Sequence, residues 1–114
     1  MKTHYHKSMT VEKWSEYGFA KQILMIGSEF ARAKSLIQKR KFDHVKECYA
    51  RAMELVDLTI YDPKWNTLTK LRELLRFREM MGILYTEKFD DLQECNLYYK
   101  VLLSWNGETA KVEI

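Results

Sequence analysis

A single proline, Pro63, interrupts this chain, and its four glycines, at positions 18, 27, 82 and 107, stand alone. An all-β fold needs turn residues about every eight to twelve positions, and too few are present to supply them. Helices are what such a chain can build, and its apolar residues carry the helical period. Phe19, Ile23, Ile26, Phe30, Ala33 and Ile37 alternate at spacings of four and three, which sets them in one stripe along a helix. Ala20, Leu24, Gly27 and Ala31 form a second, mostly small stripe beside it, where a neighbouring helix can approach closely. Gly27 is also a place for that helix to bend, since Gly costs about 1 kcal/mol relative to Ala in a helix.

Four helices are predicted. Thr10 is the expected N-cap of the first, which spans residues 11–38 and ends at Lys39-Arg40-Lys41, cations suited to the carbonyl end of a helix. Asp43 opens the second, with Val45, Tyr49, Ala52, Val56 and Thr59 as its stripe. Asp62-Pro63 is the clearest punctuation, because Pro suits a first helical position and Asp the cap before it, so the third helix is expected from Pro63. Asp90 is the expected cap of the fourth, which carries Leu92, Cys95, Tyr99, Leu102 and Leu103 and stops near Trp105, before Asn106-Gly107. The expected fold class is all-α, an antiparallel up-and-down four-helix bundle. Residues 1–9 read as a flexible tail, 10–106 as one helical domain and 107–114 as a C-terminal tail. A chain of 114 residues can bury one core without staples, and 46% apolar with 31% charged residues is a globular composition.

The chain echoes itself. Lys41-Phe42-Asp43-His44-Val45-Lys46-Glu47-Cys48 matches Lys88-Phe89-Asp90-Asp91-Leu92-Gln93-Glu94-Cys95 at five of eight positions, an offset of 47 that also sets Phe30 on Phe77. Two readings are open: two duplicated α-hairpins, or helix caps that converge on similar residues. Both predict a turn with a Phe tucked before the cap. The segment 33–55 resembles a tetratricopeptide-like hairpin, with Phe42, Tyr49 and Ala52 where that family keeps two aromatics and a small residue. No copy recurs at 34 residues and Val45 replaces a small residue, so the resemblance implies a pairing of two helices and no peptide groove. A long first hairpin followed by Arg76 and Arg78 resembles the HEPN helical family, some of whose members are ribonucleases with an Arg and a nearby His. Residues Met81 to Tyr85 stand where the His would fall, so the resemblance does not carry the nuclease activity.

Chemistry finds little foothold. His4 and His6 offer two ligands, and a stable metal site takes three or four. No Glu has a His three positions later, as a di-metal bundle requires. Cys48 shares a helical face with His44, but Cys48 and Cys95 fall in helical patterns and read as reduced, core-filling thiols. The glycines form no phosphate loop, and the serines sit in no strained elbow. No cofactor or metal is expected. No apolar run reaches the roughly 18 residues of a membrane span. The first residues hold no apolar signal segment, so a cytoplasmic location is expected.

The third helix is the most informative element for function. Leu68, Leu71 and Leu75 are expected to face the bundle. Phe77, Met80, Met81, Ile83 and Leu84 would then form an outward apolar interface. That predicts a non-enzymatic module that self-associates as a dimer or docks a partner helix. The alternative is a nucleic-acid-associated protein using Lys39, Arg40, Lys41, Arg72, Arg76 and Arg78, although a net charge of +3 and interleaved glutamates favour a solvated face.

Overall fold

The structure, a computed structural model, describes residues 3–114. It is all-α, as expected. There are five helices among the described residues: α1 (Val11–Ser15), α2 (Phe19–Gln38), α3 (Phe42–Ile60), α4 (Leu68–Glu87) and α5 (Leu92–Leu103). Single 3₁₀ turns occupy Pro63–Trp65 and Thr109–Lys111.

The expected first helix of residues 11–38 is two helices. Thr10 caps α1, its hydroxyl accepting the Lys13 N–H at 3.1 Å. The chain then leaves helical conformation before α2 starts after Gly18. Tertiary contacts explain the break. Trp14 is fully buried and donates its indole N–H to Thr59 Oγ1 on α3 at 2.9 Å. Its carbonyl accepts from Gln22 Nε2 at 2.9 Å and from the Tyr17 N–H at 3.2 Å, a three-residue turn that ends the helix. A straight helix could not bring Trp14 to α3 while α2 keeps its own stripe inward.

The third helix also starts later than expected. Asp62 does act as a cap, but of the short turn at Pro63: its Oδ1 accepts the Lys64 N–H at 3.0 Å. Trp65 then turns into the core and donates to Gln22 Oε1 at 2.9 Å. The chain re-enters helix at Leu68, with Thr67 as cap. Asp91, one residue beyond the expected Asp90, caps α5 through the Glu94 N–H at 3.1 Å. The cap of α3 is Lys41, and Asp43 lies in its first turn. At the end of α2, Arg40 takes φ 57°, and the Lys41 N–H reaches back to the Leu36 carbonyl at 2.8 Å. That five-residue closure is a helix-terminating motif usually built on Gly.

Helix α2 is the spine of the core, packing on α3 along one side and on α5 along another, while α3 also carries α1 and α4. Phe30 on α2 is the aromatic hub, with ring centroids 5.8 Å from Tyr49, 6.1 Å from Phe77 and 6.2 Å from Tyr99. Gly27 does not break α2. A Cβ there would lie 3.0 Å from Tyr99 Cε1, so the glycine exists to admit α5, the close approach that the small stripe predicts. Leu24 and Ala31 of that stripe remain exposed.

The terminal segments make defined contacts. In the segment read as a tail, of which residues 1–2 lie outside the described residues, the backbone N–H groups of His4, Tyr5 and His6 all donate to the Glu54 carboxylate, at 2.9, 2.9 and 2.7 Å. At the other end, Thr109 is buried and donates to the Leu103 carbonyl at 2.6 Å.

Candidate interaction surface

Helix α4 carries two apolar stripes on nearly opposite sides, and the structure selects the one that the sequence reading turned outward. Leu74, Phe77, Met81 and Leu84 are buried, whereas Leu68, Leu75, Met80 and Ile83 are exposed. The expected interface is therefore divided: Phe77, Met81 and Leu84 belong to the core, and Met80 and Ile83 remain on the surface. The reason lies in the partners. Phe77 meets Phe30, Tyr98 and Trp105, with centroids 6.1, 5.8 and 5.0 Å away, an aromatic cluster that no leucine of the other stripe could join. Arg78, beside that stripe, grips α3: its Nε donates to Asp57 Oδ1 at 2.6 Å and its Nη1 lies 3.2 Å from Met53 Sδ.

The outward stripe is Leu68, Arg72, Leu75, Glu79 and Ile83, at helical spacings of four and three. A shallow hollow follows its N-terminal half, lined by Leu68, Leu71, Arg72, Leu75, Arg76 and Glu79 together with Asn66 and Thr67. All of these residues belong to α4 or to the turn just before it, so no second element covers this face.

A second depression separates α4 from α5. These helices are consecutive, yet they stand apart, because Phe77, Tyr98 and Trp105 wedge between them. The offset of 47 makes the contrast instructive: Ala33 and Ala52, buried in α2 and α3, correspond to Met80 and Tyr99 in α4 and α5. Small side chains let the first pair close, and large ones hold the second open. The resulting cleft of about 440 Å³ is lined by Glu73, Arg76, Phe77, Met80, Val101, Ser104 and Trp105. Its polar groups are few. The Ser104 hydroxyl is committed to the Val101 carbonyl at 2.6 Å. The Tyr98 hydroxyl beneath donates to the Met80 carbonyl at 3.0 Å, and burial pushes this phenol up from its ordinary pKa.

The six basic residues do not form one surface. Lys39, Arg40 and Lys41 are exposed at the α2–α3 turn, where the Arg40 guanidinium sits 5.6 Å from the centre of the Phe42 ring. Lys46, just beyond this turn, lies over Tyr85 and Phe89 at 5.3 and 4.7 Å, which places the turn near the C-terminal end of α4. Arg72 and Arg76 are exposed on the N-terminal half of α4, and from Tyr85 they stand about 20 and 14 Å back along the helix. Arg78 is held by Asp57.

Cys48 and Cys95 are buried free thiols, and burial pushes both up from the ordinary thiol pKa. His44 is exposed, its Nδ1 3.9 Å from Glu47, whereas Cys48, one turn further along α3, is buried. Among the described residues no three His, Cys, Asp or Glu side chains converge on a point that could hold a metal ion. No described helix is long and apolar enough to cross a membrane. The α4–α5 cleft and the exposure of Leu68 and Leu75 escaped the sequence reading. The signal for them was the presence of two apolar stripes on one helix, of which only one can face a core. Comparison of the chain with models of known families, with curated proteins and with solved structures finds no match.

Proposed function

We propose that this chain is a non-enzymatic helical module that associates through the outer face of α4, with a second copy of itself as the occupant. The observation that carries the reading is the exposure of Leu68 (75%), Leu75 (48%) and Ile83 (47%) in one line, with Met80 (43%) at its edge, on a helix whose outer side nothing covers. Single exposed apolar residues are ordinary, but an aligned set on one helix marks a contact surface. A twofold dimer satisfies such a face with one patch used twice. In the same reading α2–α5 form an antiparallel bundle of two related hairpins in a cytoplasmic dimer. The looser second hairpin is what leaves α4 open to a partner.

Light scattering over a wide concentration range tests this. The wild type is expected to form dimers. Leu68→Glu with Leu75→Glu should give a monomer with unchanged helical circular dichroism, because both side chains point away from the core. A wild-type monomer at every concentration would sink the reading. The nucleic-acid alternative has less behind it, since Arg78 is engaged and the remaining cations are split between two places. Retention on a polyanion column that falls steeply with salt would reverse that preference.

A further inference from the structure

The outer face of α4 reads alike from both ends. Around a point between Leu75 and Arg76, Leu68 mirrors Ile83 and Arg72 mirrors Glu79. At about 1.5 Å of rise per residue, Arg72 and Glu79 lie about 5 Å on either side of that point. Both are exposed, and among the described residues neither belongs to an ion pair within the chain. A parallel pairing of two such helices would set Arg72 against Arg72 and Glu79 against Glu79. An antiparallel pairing sets opposite charges together and apolar residues together.

We propose that two copies pair α4 against α4 in antiparallel fashion, about a twofold axis between Leu75 and Arg76. Arg72 of each copy then meets Glu79 of the other, and Leu68 of each meets Ile83 of the other. This rests on the self-association reading and adds its geometry. Leu75 lies nearest the axis and packs against its own counterpart. Gly82 lies at the flank of this face. A Cβ there would meet nothing within 4 Å, so no contact inside the chain requires a glycine in the middle of this helix.

Charge reversal separates the register from the association. Sedimentation equilibrium at low salt is run on the wild type, Arg72→Glu, Glu79→Arg and the double variant, with circular dichroism to confirm the fold. Each single reversal is expected to raise the dimer Kd about tenfold, and the double variant to return it to within about threefold of wild type. Under oxidising conditions Leu75→Cys is expected to cross-link to its own copy, since Cys48 and Cys95 are buried. A dimer indifferent to all three charge variants, or a double variant as weak as the singles, overturns the register and leaves association standing. A wild-type monomer overturns both.

Discussion

Glu54 shows how much one side chain can organise. It is nearly buried on α3, and its carboxylate accepts three consecutive backbone N–H groups, those of His4, Tyr5 and His6, with His6 Nδ1 a further 3.1 Å contact. Burial alone would raise its pKa. The three N–H groups and the His6 ring more than offset that and hold the carboxyl below its ordinary 4.5. A depressed pKa in the folded state means stabilisation present in full above pH 4.5 and lost as the pH falls through the folded value. Glu54→Gln is expected to lose about 1–3 kcal/mol at neutral pH, because the charged acceptor of several donors is gone. The gap between wild type and variant should close on acidification. Urea unfolding at neutral pH and at about pH 3 measures it, and an unchanged gap would refute the assignment. Asp62 follows the same logic: burial raises its pKa, and the hydrogen bonds from Gln22 and Lys64 bring it below the ordinary value. Gln22 is the other organising residue, binding the Trp14 carbonyl, Asp62 Oδ2 and the Trp65 indole, all while fully buried.

At the scale of elements, two mid-helix glycines have opposite roles. Gly27 on α2 faces the Tyr99 ring of α5, with a Cβ position 3.0 Å from Cε1, whereas Gly82 on α4 faces open space. Gly27→Leu is therefore expected to destabilise by about 2–3 kcal/mol, since the added side chain must displace α5 from a packed core. Gly82→Ala is expected to stabilise the monomer by about 0.5–1 kcal/mol through helix propensity alone. Denaturant unfolding of both variants at low protein concentration checks the pair, and equal effects would contradict the packing described. The same comparison measures what the sequence makes legible. The small stripe containing Gly27 announced a close approach, and α5 makes it. The 20-residue α4 is the expected third helix but begins five residues late, because Trp65 is drawn to Gln22, a partner 43 positions away.

The whole molecule is a core built on α2 with one helix, α4, only half enclosed. If that helix completes its burial against a second copy, stability becomes a function of concentration, since anything that binds the folded chain alone raises its apparent stability by mass action. The thermal midpoint is expected to rise with protein concentration for the wild type and to stay flat for Leu68→Glu with Leu75→Glu. A flat wild-type profile would argue against a dimer. The Arg78–Asp57 ion pair is the fixed side of the same element, and it shows why a list of basic residues is a poor guide to a binding face: one of the six is spent on internal packing.

The all-α class, the helix start capped by Thr10 and the inward stripe of α2 were determined by the sequence itself, because caps and helical period act over a few neighbouring residues. The break between α1 and α2, the docking of His4–His6 on Glu54 and the choice between the two stripes of α4 were decided only in the tertiary structure. Each depends on partners about 40 or more positions away: Thr59 for Trp14, Glu54 for His6, and Phe30 for Phe77. Period alone can show that α4 has two apolar faces. Which one is buried follows from the aromatic rings that meet Phe77 once the helices pack.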